Sequence, residues 1–214
     1  MKNKSQLIHF IWLGGELSEL ANYCIDRAAI VNPEHEVKVW RDEDFDDPRI
    51  EKLIQMKRYA FASDIGRFQI LAKFGGIYLD ADVELVKPVD HLPDDFVCAQ
   101  DPGVPNTAAM GCSQGAEWVS DALDLFDRYD IRNIPSAPNF LRELGKVRQL
   151  PLILPSEVFY PYYPNSVNEL RRFPLVSNLT LPEVVGVHHW AGSWEGIAVR
   201  TAKKIQSIIR SIRP

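Results

Sequence analysis

Apolar and polar positions change along the chain between strand-like and helix-like patterns. A continuous apolar run over 7–13 closes on Gly14-Gly15 and predicts a buried parallel strand. Apolar residues then recur at helical spacing over 17–31 and stop near Asn32-Pro33, which predicts a helix. Residues 36–40 alternate between apolar and polar side chains and predict a second strand.

The strongest helical pattern covers 58–74, where apolar residues recur at steps of three and four and Gly75 marks the end. Further strands are predicted over 77–79, 83–86, 96–100 and 184–190, and further helices over 116–129, 139–146 and 196–212. Alternating strands and helices indicate an α/β fold with a mixed, mostly parallel sheet flanked by helices. We predict one domain over 1–195 and a C-terminal basic amphipathic helix of the same domain over 196–214.

Composition and charge restrict the possible partners and the possible location of the protein. The chain has 214 residues, of which 46% are apolar and 25% charged, and its net charge of -5 argues against a nucleic-acid partner. Its three cysteines form no C-x-x-C pair, which argues against a zinc site or a disulfide framework and favours a reducing, cytoplasmic location. No apolar run approaches the ~20 residues that span a bilayer.

The candidate chemistry begins where a predicted buried strand ends in two carboxylates. Asp80 and Asp82 follow the strand at 77–79, at the sheet edge where open α/β sheets bind ligands. Residues two apart in an extended segment point to the same side, so the pair could hold Mn²⁺ or Mg²⁺ and, through the cation, a phosphate. The alternative is a solvated turn.

The helix that precedes this strand carries a second charged pair. Asp64 and Arg67 lie three residues apart, so they share one helix face, and only Gly75-Gly76 separates the helix from the strand. That face could therefore turn toward the two aspartates. A local surface ion pair is the alternative for Asp64 and Arg67, and an ordinary core position is the alternative for Tyr78.

The stretch F-A-S-D-I-G-R-F-Q-I-L-A-K-F-G-G-I-Y-L-D-A-D-V-E resembles the DXD-containing sugar-nucleotide glycosyltransferases of family 32. These include fungal α-1,6-mannosyltransferases, bacterial capsular and lipopolysaccharide transferases and, more remotely, the catalytic domains of large clostridial glucosylating toxins. Three more segments occur in the family's order, so the resemblance covers about residues 6–195: I-H-F-I-W-L-G-G, L-P-S-E-V-F-Y-P and H-H-W-A-G-S-W.

The resemblance implies a GT-A (Rossmann-like) fold and a metal-dependent, retaining transfer of a sugar. The expected donor is a UDP-sugar or GDP-mannose, and the expected acceptor is a hydroxyl of a glycan or a lipid-linked molecule. Mn²⁺ or Mg²⁺ is the expected cofactor.

Individual residues take roles from this resemblance. Trp12 matches the tryptophan that stacks on the nucleobase, although an ordinary core position is its alternative. Asp64 and Arg67 match the pair that contacts the donor sugar and its phosphates. Asp80 matches the carboxylate that reaches ribose and metal, and Asp82 matches the direct metal ligand. Tyr78 is placed with the substrate-binding residues.

The late motif supplies His188, His189, Ser193 and Trp194, whose family role is to close over the diphosphate. Neighbours in a strand face opposite ways, so only one histidine can reach the metal, and we favour His189. One core and one surface histidine is the alternative for the pair. Trp194 either donates its indole N–H to a phosphate oxygen or anchors the last helix.

The sequence signals for the acceptor site and for the C-terminal segment are weaker than those for the donor site. Asn106 is a candidate for the acceptor site, and Asn139 is a candidate catalytic residue near the sugar ring. The helix predicted at 196–212 has isoleucines on one side and Lys and Arg on the other. It either docks on the domain or makes a peripheral contact with the inner face of a membrane.

Two other classes of protein stay open at this point. A haloacid-dehalogenase-like phosphohydrolase also uses a strand followed by D-x-D, with the first aspartate as nucleophile. A binding module that has lost catalysis would keep Trp12, Arg67 and the aspartates and bind a sugar nucleotide without turnover.

Overall fold

A six-stranded sheet and a separate two-stranded ribbon make up the β-structure in the described part of this computed structural model, residues 6–161 and 183–191. The strands are β1 (Leu7–Ile11), β2 (Glu36–Trp40), β3 (Gly76–Leu79), β4 (Val83–Leu85), β5 (Phe96–Asp101), β6 (Val104–Cys112), β7 (Leu152–Ile153) and β8 (Gly186–His188). The α-helices are α1 (Glu19–Val31), α2 (Pro48–Gln55), α3 (Tyr59–Phe74), α4 (Glu117–Phe126) and α5 (Ala137–Val147).

The large sheet has the order β2-β1-β3-β6-β5-β7. β1 runs parallel to β2 and β3, β6 runs antiparallel to β3 and β5, and β7 runs parallel to β5. The predicted mixed, mostly parallel sheet is therefore confirmed. The ribbon pairs β4 and β8 antiparallel.

Both faces of the large sheet carry buried apolar layers. In β3, Ile77 and Leu79 belong to one buried cluster, whereas Tyr78 between them belongs to the other. This alternation follows from the two-residue period of a strand. The Tyr78 cluster includes three packed rings from α3, α4 and α5, namely Phe68, Phe126 and Phe140.

Most predicted elements lie within a few residues of their positions in the structure, but three were missed. α2 begins at Pro48 after Asp47, whose side chain accepts a hydrogen bond from the Arg49 amide and caps the helix. β6 was missed because it contains Pro105 and Gly111, and β7 is very short. The predicted helix over 196–212 lies outside the described residues, and the proposed domain boundary stays a prediction.

Two further expectations concern the compartment. Cys24, Cys98 and Cys112 are free thiols and all are buried, as expected without a disulfide framework. Among the described helices, none combines the length and the apolar character that crossing a membrane requires.

The sheet brings two predicted site segments to one edge. β1 and β3 are neighbours and parallel, so Trp12, directly after β1, and Asp80, directly after β3, follow the same ends of their strands. The backbone N–H of Asp80 donates to the Ala108 carbonyl at 2.7 Å, which extends the pairing of β3 with β6 by one residue. β6 therefore fixes the start of the D-x-D turn.

A buried histidine connects the strands that carry this edge. His9 in β1 is fully buried, and its Nε2 lies 2.8 Å from the Gly75 carbonyl, directly before β3. The Trp40 indole N–H donates to its Nδ1 at 3.2 Å. These partners require the neutral tautomer with its proton on Nε2. Burial lowers the pKa of His9 from its usual 6.5, although the hydrogen bond to Gly75 acts in the opposite direction.

We predict that His9→Phe lowers the free energy of unfolding by about 2 kcal/mol at pH 7.5, because it leaves the Gly75 carbonyl and the Trp40 N–H without partners. Because the folded pKa of His9 lies below the unfolded value, its contribution is fully present above pH 6.5 and is lost as the pH falls from there. The difference between wild type and His9→Phe should therefore shrink at pH 5.5. Urea unfolding at both pH values measures it.

The exposed His91 provides the control, since His91→Phe should change the free energy of unfolding by less than about 0.5 kcal/mol. A His9→Phe difference that is the same at pH 7.5 and pH 5.5 would contradict the assignment of His9 as a buried neutral group.

Candidate functional site

Asp80, Asp82 and His188 converge beyond the end of β3. One side-chain donor atom from each lies within 4.8 Å of the others, and all three residues are half-buried. The aspartates come from the turn between β3 and β4, and the histidine comes from the end of β8. The ribbon of β4 and β8 therefore joins residues far apart in sequence into one cluster.

Asp80 is oriented by two side chains. The Tyr78 hydroxyl donates to Asp80 Oδ1 at 2.8 Å, and Arg67 Nη1 lies 3.2 Å from the same oxygen. Ser63 Oγ is 3.1 Å from the Tyr78 hydroxyl, which connects α3 to this pair. Burial raises the pKa of Tyr78 well above its usual value, so the hydroxyl stays protonated and donates.

Arg67 is the central cation of the site and is only 5% exposed. Its Nη1 donates to the Thr107 carbonyl at 2.9 Å and to Thr107 Oγ1 at 2.8 Å, and its Nη2 lies 3.0 Å from Asp64 Oδ1. The guanidinium also lies over the Tyr78 ring at 4.6 Å from the ring centroid. The helix face with Asp64 and Arg67 therefore turns inward, and the alternative of a surface ion pair is excluded.

Asp64 is the second carboxylate on Arg67. Burial raises the pKa of Asp64 to about 6, although the Arg67 charge acts in the opposite direction. Asp80 adds a like charge that also raises it. Two carboxylates thus share one guanidinium, and the pocket around them is short of positive charge.

Asp82 pairs with the late segment. His188 Nε2 lies 3.2 Å from Asp82 Oδ1, and the Ala191 N–H donates to Asp82 Oδ2 at 2.8 Å. Burial disfavours the Asp82 anion, but the His188 imidazole and the Ala191 amide outweigh it and lower the pKa of Asp82 to about 2. Burial also opposes protonation of His188, and Asp82 outweighs it and raises the pKa of His188.

The two histidines point to different partners, as the alternation of a strand requires. His189 Nε2 is 3.0 Å from Glu84 Oε2, on the other side of the ribbon from His188. Our preference for His189 as the metal ligand is therefore not supported, because the ring that reaches the aspartates is that of His188.

The donor atoms fit a divalent cation. Two carboxylates and one imidazole form a mixed oxygen and nitrogen set of the kind that binds Mn²⁺ and similar ions. The buried His188 Nδ1 has no hydrogen-bond partner in the described residues. Among those residues, the ring nitrogens of His188 are therefore held only by the contact between Nε2 and Asp82. The His188 pairing with Asp82 is the contact that a cation would replace.

Trp12 lies at the same edge and is half-buried. Its indole N–H donates to the Glu16 carbonyl at 3.0 Å, across the Gly14-Gly15 turn. Asp42 accepts the Gly14 amide at 2.9 Å, and the Tyr59 ring packs so closely on Gly14 that a side chain there would collide with it. The loop that presents Trp12 is therefore shaped by Asp42 and Tyr59, which the sequence analysis did not name.

Three other candidates lie outside the cluster. Tyr78 is 1% exposed, so it supports Asp80 rather than offering a surface to a substrate. Asn106 bonds Gln100 Oε1 at 2.6 Å and the Ala108 amide at 2.9 Å, within the β5–β6 pairing. Asn139 is exposed in the first turn of α5, where Arg142 donates to it at 2.6 Å. The roles of Asn106 and Asn139 stay predictions, and Ser193 and Trp194 lie outside the described residues.

Some site residues were not named in the sequence analysis. Thr107 contacts Arg67 from β6, a strand that the pattern did not predict. Tyr160 and Trp190 pack their rings on His188, at centroid distances of 5.0 Å and 4.8 Å. The segment L-P-S-E-V-F-Y-P contains Tyr160 and was noted for its resemblance, which was the available signal.

Comparison with known proteins agrees with the geometry. Residues 18–97 match the family model described as "Glycosyltransferase sugar-binding region containing DXD motif", a span that contains Asp64, Arg67, Asp80 and Asp82. The chain is 29% identical over 146 residues, 61% of its length, to inositol phosphoceramide mannosyltransferase 3 of Schizosaccharomyces pombe (strain 972 / ATCC 24843). The match covers 37% of that protein, so the chain spans well under half of this relative's length.

Solved structures show the fold. The PaToxG glycosyltransferase aligns with a TM-score of 0.55 and 21% identity over 66% of this chain and 68% of that one. A glycosyltransferase involved in glycosylation of the major capsid of PBCV-1 aligns over 92% of this chain and 98% of that one, with 14% identity and a TM-score of 0.48, too low to support an argument. The sheet and the first alignment confirm the GT-A, Rossmann-like fold.

The D-x-D turn and its buried arginine thus lie in the matched region and in the fold that such a region requires. Over this region the chain is therefore similar to the DXD-containing glycosyltransferases, in agreement with the resemblance to family 32.

Proposed function

We propose that the protein transfers a sugar from a nucleotide-diphosphate donor to a hydroxyl of a glycan or lipid-linked acceptor, with the help of Mn²⁺ or Mg²⁺. One observation carries the proposal: Asp80, Asp82 and His188 converge next to the buried Arg67, at the sheet edge where such folds bind ligands. When bound, the cation would offset the negative charge that develops on the leaving diphosphate.

The donor would lie along this edge. Trp12 offers a half-buried indole for a nucleobase, and Asp80 and Asp82 would hold the cation beside the diphosphate together with His188. The resemblance supports this arrangement.

Arg67 and Asp80 are held in position by neighbouring side chains. Arg67 is held by Thr107 and Asp64, so its charge does not have to reorganise during the reaction. Tyr78 and Arg67 hold Asp80 Oδ1 from two directions, which fixes the direction of its other oxygen. We propose that Asp64, beside Arg67, contacts the donor sugar, as the resemblance implies.

We propose retention of the anomeric configuration, with departure and attack on the same face of the sugar. In the part of the chain that the structure describes, the carboxylates nearest Arg67 are already engaged. Asp64 and Asp80 pair with Arg67, and Asp82 pairs with His188. Such engaged carboxylates are poor nucleophiles, which supports a mechanism without a covalent sugar–enzyme intermediate.

The relative's name suggests the first substrates to test. Inositol phosphoceramide mannosyltransferase 3 is named for a mannosyl donor and a lipid acceptor with a phosphoinositol group. We therefore propose GDP-mannose as the first donor and an inositol-bearing lipid as the first acceptor, with UDP-sugars and glycans next. Basic residues over 200–213 support a membrane contact near such an acceptor.

The test of the function is a panel of GDP-mannose and UDP-sugars with Mn²⁺, with and without acceptor. We predict release of nucleoside diphosphate from one donor, slow with water and faster with an acceptor, and loss of release when EDTA removes the cation. Proton NMR of the product should show the donor's anomeric configuration.

The same panel separates the other two classes. Hydrolysis of p-nitrophenyl phosphate without nucleoside diphosphate release would indicate a phosphohydrolase. Thermal stabilisation by a donor without any turnover would indicate a binding module, and either result would reject the proposed transfer.

We predict that Asp82→Asn removes the Mn²⁺-dependent part of the melting-temperature shift caused by UDP or GDP, because the variant loses a charged ligand. Differential scanning fluorimetry with and without Mn²⁺ measures the shift. The matched control is Asp124→Asn, an exposed position on α4, which should keep the full shift. If Asp82→Asn kept it as well, Asp82 would be removed from the ligand set.

We predict that Arg67→Lys lowers donor turnover at least ~100-fold, because an ammonium cannot replace the fork that joins Asp64, Asp80 and Thr107. The free energy of unfolding should fall by about 2 kcal/mol, since buried acceptors lose partners. Turnover and urea unfolding measure the two effects. Arg128→Lys, at an exposed position, should change neither.

A further inference from the structure

Glu84 is a buried carboxylate that the donor site does not explain. It is the middle residue of β4 and is 0% exposed, between the buried Val83 and Leu85. A glutamate is almost never fully buried without partners, because an unpaired buried charge is costly. Its partners therefore indicate what it is for.

Both carboxylate oxygens are engaged. The Tyr23 hydroxyl donates to Glu84 Oε1 at 2.8 Å, and Arg27 Nε lies 4.0 Å from the same oxygen. Glu84 Oε2 is 3.0 Å from Nε2 of His189, whose side chain is 4% exposed. Burial and the Glu84 carboxylate raise the pKa of Tyr23 to about 12, so its hydroxyl stays a donor.

These partners connect three elements. Tyr23 and Arg27 lie one turn apart on α1, Glu84 belongs to β4, and His189 directly follows β8. The network therefore joins α1 and both strands of the ribbon on the side away from the Asp80–Asp82–His188 cluster. None of its side chains is a member of that cluster.

The ribbon's register determines which histidine reaches the aspartates. His188 pairs with Val83, and the His189 N–H donates to the Asp82 carbonyl at 2.9 Å, one step further along the ladder. His189 is thus diagonal to Glu84 on one face, and His188 points to the other face. A slip of one residue would bring either His189 or Val187 to the aspartates in place of His188.

Part of the ribbon's register comes from the Val185 and His188 amides, which donate to the Val158 and Phe159 carbonyls at 3.0 Å and 2.9 Å. β4 and β8 have three residues each, and a two-stranded ribbon of that length is marginally stable by itself. The buried contact between the Glu84 carboxylate and the His189 imidazole favours the observed register over the slip that would bring His189 to the aspartates, because that slip would place Trp190 beside Glu84.

We propose that Glu84 is a positioning residue that holds His189, with Tyr23 as its second support, and thereby keeps His188 at the aspartate pair. The inference rests on the proposed function, because it takes His188 as a ligand of the cation. Glu84 does not touch the cation or the substrate. Its effect on metal binding passes entirely through His188.

The test is the affinity of the full chain for Mn²⁺ alone, measured by electron paramagnetic resonance of the free ion. We expect Glu84→Gln to raise the Kd about 10-fold, as is usual for groups that orient a metal ligand. His188→Ala should raise the Kd as well. In the Glu84→Gln/His188→Ala double variant the Glu84 effect should vanish, because the residue through which it acts is gone.

One matched control and a melting-temperature measurement separate positioning from stability. Glu51→Gln, at an exposed position on α2, should leave the Kd unchanged. A role in stability alone would lower the melting temperature of Glu84→Gln and leave its Kd within twofold of wild type, which would overturn the inference. An equal Kd increase with and without His188 would overturn it too, since the effect would then not pass through His188.

A milder variant covers the case in which Glu84→Gln does not fold. Tyr23→Phe removes one hydroxyl and should raise the Kd about threefold, and only when His188 is present, whereas Tyr129→Phe should not change it. An unchanged Kd in Tyr23→Phe would count against the network. If His188→Ala itself bound Mn²⁺ like wild type, the proposed metal site would be wrong. If His188→Ala weakened binding and the Glu84 and Tyr23 variants did not, only the positioning role would fail.

Discussion

The buried positive charge of Arg67 is the constraint on which the site depends. A guanidinium that is 5% exposed needs hydrogen-bond acceptors on every side, and the protein supplies them from α3, β3 and β6. Removing any one acceptor would leave a buried donor unpaired, so the three elements are fixed relative to one another. Arg67 thus ties the helix before the Gly75-Gly76 turn to the D-x-D turn after it.

Charge balance explains why this corner suits a cation. Asp64 and Asp80 share the charge of Arg67, and Asp82 contacts the His188 imidazole and the Ala191 amide. Buried carboxylates in such a deficit gain from any added positive charge. Among these carboxylates, the charge of Asp64 is the one that burial makes unfavourable without a ligand, since its pKa is raised to about 6.

The sequence predicted the parts of the site that are local in the chain. Asp64 with Arg67, and Asp80 with Asp82, follow from helix and strand periods, and the glycine pair between them makes their meeting geometrically simple. β6 could not be predicted in this way, because Pro105 and Gly111 disfavour a strand and pairing with β3 and β5 overrides that preference. Thr107 was missed with it.

The choice between His188 and His189 shows a different limit. Alternation predicted that the two rings face opposite ways, which is confirmed. Alternation does not determine which of the two rings faces the aspartates, because that choice depends on a contact outside the strand. Here that contact involves Glu84. The sequence did contain a signal, because a glutamate inside an apolar strand of three residues requires a buried partner. A histidine can be that partner, since its ring can donate a hydrogen bond to the carboxylate. A charged residue inside a short apolar strand therefore indicates a buried partner, and that partner helps to set the register of the neighbouring strand.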